Sequence, residues 1–192
     1  MPINVPMILT WARIALIPLV VGVFFVPDFR LDPRPWNNIA ACAIFSVAAI
    51  TDAFDGWIAR KYGLVTALGA FLDPVADKLM VCAALIVLVA LDRVGVFVAL
   101  VIIGREIAIS ALREWMAQIG KQKSVAVSSM GKLKTIAQMV AIPMLLFHDR
   151  LFGVIDIGRI GTVLIYIAAI LTVYSMLYYL KMAWPHLAAS RE

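Results

Sequence analysis

The stretch TDAFDGWIARKYGLVTALGAFLDPVADK, residues 51–78, carries four aspartates within largely apolar sequence. Asp52 and Asp55 are three residues apart, and Asp73 and Asp77 are four apart, so each pair shares one face of a helix. The short connection KYGLV makes the two helices antiparallel neighbours, so both pairs can face one space. The stretch therefore predicts a pair of helices with an acidic centre.

The composition of the whole chain is that of a membrane protein. Hydrophobic residues make up 64% of the 192 residues and charged residues 15%, whereas about a quarter of a soluble domain is charged. So much apolar surface cannot be buried inside a chain of this length, which excludes a water-soluble globule. The net charge of +5 fits loops that face anionic lipid. Nucleic acid is not an expected partner, because aromatic residues are not interleaved with a basic stripe.

Six apolar segments approach the roughly 20 residues that a helix needs to cross a bilayer. They cover residues 6–26, 38–60, 66–91, 95–117, 131–147 and 159–181. The sequence thus predicts an all-α fold, a polytopic bundle of six transmembrane helices, with residues 1–192 forming one domain. Of the 17 Lys and Arg residues, nine fall on the face that holds both termini, five on the opposite face and three within helices. This bias predicts cytoplasmic termini.

Four carboxylates in apolar surroundings need a compensating charge. A charged side chain at the centre of a membrane helix costs about 2.5–3.5 kcal/mol, and four carboxylates cannot all stay ionised without cations nearby. Oxygen ligands suit a hard divalent ion, so the sequence predicts a Mg²⁺ or Mn²⁺ site formed by the four aspartates. Gly56, Ala59 and Gly69 leave room beside the carboxylates for a ligand or for another helix.

Two other interpretations of the acidic residues are open. One is purely structural and pairs the aspartates with the basic residues Arg60, Lys78, Arg105 and Lys134. The other makes the chain a transporter or cation channel, because carboxylates within the membrane also mark ion pathways. Transporters commonly contain repeated halves, and the acidic cluster has no second copy in the last three predicted helices. The missing second copy disfavours a transporter.

The spacing of the acidic stretch resembles the signature of the CDP-alcohol phosphatidyltransferases. The signature here reads Asp52-x-x-Asp55-Gly56-x-x-Ala59-Arg60 and, after eight residues, Gly69-x-x-x-Asp73-x-x-x-Asp77. The resemblance extends over the rest of the chain, through Asn4-x-Pro6-x-x-Leu9-Thr10-x-x-Arg13, Arg105-Glu106, the run SALREW at residues 110–115, and Gly131-Lys132-x-Lys134-Thr135. These flanking features resemble family members that join CDP-diacylglycerol and sn-glycerol 3-phosphate, giving phosphatidylglycerophosphate and CMP in phospholipid biosynthesis.

The resemblance implies a role for each part of the signature. Asp52, Asp55 and Asp73 would hold the metal, as one ion or two, and Asp77 would act as the general base and also contact metal. The cytidine diphosphate group would lie against Asn4, Asp52, Gly56, Ala59, Arg60 and Gly69. The same resemblance implies a homodimer. The signature is common to siblings with other acceptors, and phosphatidylglycerol, inositol or serine stays the alternative to glycerol 3-phosphate.

The acceptor is a phosphate dianion and should meet arginine or lysine side chains. The candidates are Arg105, Arg113, Lys132 and Lys134, with Arg60 as a further one, and Glu106 is expected to orient Arg105. CDP-diacylglycerol keeps its acyl chains in the bilayer, so membrane lipid is a partner. The expected location is the bacterial cytoplasmic (inner) membrane, with a multi-pass chain and an active site that faces the cytoplasm.

Overall fold

The computed structural model describes residues 5–25, 34–62, 67–120, 129–151 and 153–189, and it is helical almost throughout. Its six helices are α1 Val5–Gly22, α2 Pro35–Tyr62, α3 Ala67–Ala90, α4 Val96–Gln118, α5 Ser129–Phe147 and α6 Ile157–Ala189. The all-α prediction and all six predicted helices are confirmed. The largest difference is at the end of α6, which continues through Pro185 to Ala189 instead of ending near residue 181.

Two short strands join the last two helices. Strand β1, Arg150–Leu151, pairs antiparallel with β2, Ile155–Asp156, with Arg150 opposite Asp156. Asp156 also receives a hydrogen bond from the backbone nitrogen of Arg159 at 3.0 Å, which satisfies one of the free N–H groups at the start of α6. The hairpin therefore fixes how α6 begins.

The helices form one bundle in which α1 packs against α2 and α3, α5 packs against α2 and α6, and α4 packs against α6. Gly161 allows α5 and α6 to approach closely, because a Cβ atom there would lie 3.0 Å from Cγ of Leu145 and 3.2 Å from its backbone nitrogen. The main core is apolar and includes Phe45, Leu85 and Leu145. Small residues at such contacts are typical of helices that pack within membranes.

Within the described ranges, one helical segment, Ile157–Pro185, is long and apolar enough to cross a membrane. Two shorter apolar segments are Met7–Gly22 and Leu133–Phe147. Charged residues interrupt α3 and α4, where Asp73, Asp77 and Arg105 lie within the predicted spans. The helices that the sequence predicts to span are thus present, and several carry charge inside the bundle.

Arg93 links three elements at the end of the bundle opposite Asp73 and Asp77. Its guanidinium donates hydrogen bonds to the backbone oxygens of Leu145 and Leu146 at 3.2 and 2.8 Å, and to Oδ1 of Asn38 at 2.8 Å. These contacts satisfy carbonyl groups at the end of α5, where no helical partner exists. Burial, together with the charge of Arg93, lowers the pKa of the neighbouring His148 imidazole, which keeps this ring neutral at pH 7.

Arg93→Met should destabilise the bundle, because it leaves the buried Asn38 side chain and two carbonyl groups without their donor. Hydrogen bonds from a charged group contribute about 1.5–3 kcal/mol, so we expect a loss of about 2–3 kcal/mol and a Tm lower by about 4–12 °C. Thermal unfolding in detergent, followed by circular dichroism, measures the change. Arg159→Met is the matched control, since the Arg159 side chain is 85% exposed and exposed ion pairs contribute little. An equal Tm for the two variants would contradict the linking role.

Candidate active site

Helix α1 contacts both parts of the acidic stretch. Arg13 forms an ion pair with Asp52, with 2.5 Å between Nη1 and Oδ1, and its side chain is 1% exposed. Three residues earlier, Thr10 donates a hydrogen bond from its hydroxyl to Oδ1 of Asp73 at 2.6 Å. Because Thr10 and Arg13 share one helix face, α1 holds a carboxylate of α2 and a carboxylate of α3 at the same time.

The sequence predicts that α2 and α3 meet through their acidic faces. It does not predict that α1 contacts their carboxylates. A signal for α1 is nevertheless present. Met7, Thr10, Arg13 and Val20 are all buried and form one stripe, and a charged residue within an apolar helix has to face the bundle interior. This rule predicts which face of α1 points into the bundle, but it does not predict which residues that face contacts. The contacts with Asp52 and Asp73 are therefore known only from the structure.

Asp77 connects the acidic stretch to a cavity of about 450 Å³. This volume is in the range of ligand pockets, about 300–1,000 Å³. The described residues that line the cavity are Asp77, Lys78, Val81, Arg105, Glu106, Arg113, Thr135, Ile136, Gln138 and Met139. Asp77 also lines a smaller space together with Arg13, and it interacts electrostatically with Asp52. One carboxylate therefore borders both the acidic stretch and the cavity.

Arg105 is held in the cavity wall by two helices. Its Nη1 donates to Oε1 of Glu106 at 3.1 Å, and its Nη2 donates to the hydroxyl of Ser175 on α6 at 3.3 Å. Lys134 of α5 donates from Nζ to the same Glu106 oxygen at 2.5 Å. Arg105 is 8% exposed and Lys134 1% exposed. The expected contact of Glu106 with Arg105 is present, and Glu106 neutralises only one of the two cations.

Arg113 is the second guanidinium in the cavity wall. Its Nη2 donates to the hydroxyl of Tyr179 at 3.2 Å, and the guanidinium lies 5.2 Å from the centre of that ring. The Nε atoms of Arg105 and Arg113 are both buried and lack a hydrogen-bond partner among the described residues. A buried charged donor without an acceptor is costly. The cavity is therefore suited to an anion.

The predicted residues divide into three sets. The structure brings Asp77, Arg105 and Arg113 around one cavity. It places Asp52 and Asp73 in contact with α1, Gly69 in the first turn of α3, and Lys134 in the ion pair with Glu106. The remaining predictions lie outside the described side chains: Asn4, Asp55, Gly56, Ala59, Arg60 and Lys132. Gln138 and Tyr179 were not predicted from the sequence as parts of the site, Thr10 was named only within the family pattern, and Lys78 only as a basic partner of the aspartates.

The carboxylates fit a hard divalent cation by their chemistry. Asp52, Asp73 and Asp77 offer oxygen ligands, the type that Mg²⁺ and Mn²⁺ prefer. Among the side chains that the structure describes, no three acidic, histidine or cysteine residues lie close enough to hold one ion. The predicted fourth ligand, Asp55, is not among them. A metal site formed by all four aspartates stays a prediction.

Comparison with known proteins gives one result for the family and one for individual relatives. The CDP-alcohol phosphatidyltransferase family matches residues 3–174. A protein of Shigella flexneri serotype 5b (strain 8401) is 48% identical over 186 residues, which cover 95% of this chain and 96% of the relative. A protein of Escherichia coli (strain K12) has the same identity and coverage. Both relatives are named CDP-diacylglycerol–glycerol-3-phosphate 3-phosphatidyltransferase.

Proposed function

Because this chain belongs to the CDP-alcohol phosphatidyltransferase family, we propose that it transfers the phosphatidyl group of CDP-diacylglycerol to sn-glycerol 3-phosphate. The products are phosphatidylglycerophosphate and CMP. The names of relatives that match 95% of the chain support both substrates. The observation that carries the proposal is the cavity itself, where a carboxylate of the family signature, Asp77, lies in one wall with the cationic side chains of Arg105 and Arg113.

Asp77 acts as the general base in this proposal. A hydroxyl of the acceptor attacks the β-phosphorus of CDP-diacylglycerol, a new P–O bond forms, and the bond to the leaving CMP breaks. The hydroxyl proton passes to a carboxylate oxygen of Asp77, and general bases of this kind speed reactions about 10²–10⁴-fold. Asp77 lines the cavity and interacts electrostatically with Asp52, and both observations support the assignment.

A divalent metal ion, on which this family generally depends, would be held by Asp52, Asp55 and Asp73, with Asp77 beside it. When bound, such an ion neutralises pyrophosphate oxygens and stabilises the leaving group. Mg²⁺ and Mn²⁺ are the proposed ions. Thr10 and Arg13 orient the carboxylates of Asp73 and Asp52 through the contacts described above.

The phosphate of the acceptor binds Arg105 and Arg113 in this proposal. The described cavity lining has three cationic residues and two acidic ones, and the Nε donors of both arginines are buried without a partner in that part of the chain. Lys134 supports Arg105 by sharing Glu106 with it. Lys132 and Arg60 stay predicted contacts for phosphate, and Asn4, Gly56, Ala59 and Gly69 stay predicted contacts for the cytidine diphosphate group.

We also propose that residues 1–192 form one domain of six membrane spans in the bacterial inner membrane, with the site toward the cytoplasm. The outward faces of the helices are apolar: Phe97 is 84% exposed and Ile170 69%, whereas Arg13 and Gln138 are buried. An apolar exterior around a polar interior suits lipid as the surroundings. The charge bias of the loops supports cytoplasmic termini, and a homodimer stays a prediction.

An acceptor screen on purified protein tests the function. With radiolabelled CDP-diacylglycerol and Mg²⁺ or Mn²⁺, we expect labelled phosphatidylglycerophosphate from sn-glycerol 3-phosphate, and no comparable product from inositol, serine or phosphatidylglycerol. Chelation of the metal should abolish the product, and adding back either ion should restore it, because the pyrophosphate charge is otherwise not neutralised. Turnover with inositol and none with glycerol 3-phosphate would assign the chain to a sibling activity. Full activity in excess chelator would contradict the metal proposal.

A further inference from the structure

Gln138 is a buried polar residue. Neither the packing of the helices nor the general-base mechanism explains why a polar side chain is present there. It lies on α5 one turn after Lys134, so the two side chains share a face. Gln138 is 4% exposed and lines the cavity that also contains Asp77 and Arg105. Its Oε1 atom is buried and has no hydrogen-bond partner within the described ranges.

The next positions along this face do not require a polar side chain. Ala141, Ile142 and Leu145 continue the face and are fully buried in the apolar core. An amide oxygen buried without a donor costs free energy, whereas an apolar side chain of similar size at the same place does not. A ligand that brings a donor to Oε1 removes that cost.

The unpaired atoms of the cavity differ in hydrogen-bond type. Nε of Arg105 and Nε of Arg113 are donors, and they suit a phosphate. An amide oxygen only accepts, and a phosphate dianion has no proton to donate. Gln138 therefore suits the opposite end of the same ligand, where hydroxyl groups are available. The cavity as a whole matches a small molecule with a phosphate at one end and hydroxyls at the other.

Glycerol 3-phosphate has two hydroxyl groups, and only one of them reacts. The terminal hydroxyl is the less hindered nucleophile and gives its proton to Asp77. We infer that Oε1 of Gln138 accepts a hydrogen bond from the central, non-reacting hydroxyl, and this inference rests on the proposed function. Gln138 is then a specificity-determining residue, which selects polyol phosphates over acceptors that lack this hydroxyl.

The test compares sn-glycerol 3-phosphate with 3-hydroxypropyl phosphate, which keeps the phosphate and the terminal hydroxyl but lacks the central one. A site that hydrogen-bonds a substrate hydroxyl rejects the analogue without it, so the wild-type protein should prefer glycerol 3-phosphate by about 10- to 100-fold in kcat/KM. In Gln138→Met the preference should fall to within about threefold. The loss should come from a higher KM for glycerol 3-phosphate, while the rate with the analogue stays unchanged.

Two further variants separate recognition from structure. Thr172→Val removes another buried polar atom that has no partner in the described part of the chain, and it should leave the preference unchanged because Thr172 is not among the described lining residues. Gln138→Glu retains an acceptor oxygen and should retain the preference even if both rates fall. If Gln138→Met is inactive with both acceptors, the Glu variant decides: a lost preference there overturns the inference.

The failure of this inference is distinguishable from failure of the proposed function. Wild-type protein that makes phosphatidylglycerophosphate without preference over the analogue, or a Gln138→Met variant that keeps the wild-type preference, overturns only the role of Gln138. A preference that falls in Gln138→Met and is kept in Gln138→Glu supports that role. Where Gln138→Met is inactive with both acceptors, a preference kept in Gln138→Glu supports it and a preference lost there overturns it. Wild-type protein that makes no product from glycerol 3-phosphate overturns the proposed function itself.

Discussion

Asp77→Asn is expected to lower kcat by about 10²–10⁴-fold, the range that a general base contributes. The amide has nearly the shape of the carboxylate but cannot take the proton of the attacking hydroxyl. The KM values for CDP-diacylglycerol and glycerol 3-phosphate should change little, because Asp77 contributes to proton transfer more than to binding. Single-turnover measurement with radiolabelled CDP-diacylglycerol gives the rate of the transfer step.

Asp92→Asn is the matched control for this substitution. Asp92 is exposed in the turn between α3 and α4 and has a φ of 58°, a conformation that Asn adopts as readily as Asp. Its rate should equal that of the wild type. Titration with Mn²⁺, followed by electron paramagnetic resonance, separates the two roles of Asp77. A rate within tenfold of the wild type would show that the base lies elsewhere, and a lost Mn²⁺ affinity would make Asp77 chiefly a metal ligand.

Much of the fold was predictable because each helix is marked by composition as well as by periodicity. Apolar runs near 20 residues locate all six helices, and PDFRLDPRPWNN and DRVG locate two of the breaks. The end of α6 was placed too early, near residue 181, whereas the helix continues through Pro185 to Ala189. Proline removes one hydrogen bond of a helix and does not always end it.

The site was predictable only in part, because ion pairs between helices depend on how the helices pack. Asp77 and Arg105 were expected in the site, and both line the cavity. That Lys134 and Arg105 share Glu106 could not follow from spacing, since the pair joins residues 28 positions apart on different helices. The contact of Thr10 with Asp73 spans 63 positions. Spacing along one helix gives faces, whereas only the packed bundle gives partners.

Gln138 was missed for a different reason. Gln138 is a single glutamine followed by the apolar run MVAIPMLLF, residues 139–147, and it belongs to no motif. Its amide is uncharged, so it does not carry the large cost of membrane insertion that makes the aspartates conspicuous in the sequence. Its importance becomes visible only when burial and the missing donor are considered together. The general conclusion is that charged residues in membrane helices can be found from sequence, and neutral polar ones need the structure.

Arg105→Met is expected to raise the KM for glycerol 3-phosphate by about 10- to 100-fold, with the KM for CDP-diacylglycerol unchanged within about twofold. Hydrogen bonds from a charged donor contribute about 1.5–3 kcal/mol, and Nε of Arg105 is a buried donor without a partner among the described residues. Steady-state kinetics with each substrate varied in turn measures both constants. Arg105→Lys should give an intermediate KM, since it restores the charge without the planar group that matches phosphate.

The bundle should tolerate the loss of Arg105, because Glu106 still has Lys134 as its partner at 2.5 Å. The hydroxyl of Ser175 loses a donor, and Glu106 loses one of its two donors and keeps the other, Lys134. Arg159→Met, at an exposed side chain that is not among the described lining residues of the cavity, is the control for the change in charge and should leave both KM values as they are. An equal rise of the two KM values in Arg105→Met would assign Arg105 to the structure of the α4–α6 contact. A selective rise assigns it to the acceptor phosphate, because in the proposed mechanism the pyrophosphate of CDP-diacylglycerol is neutralised by the metal ion at the aspartates and not by Arg105.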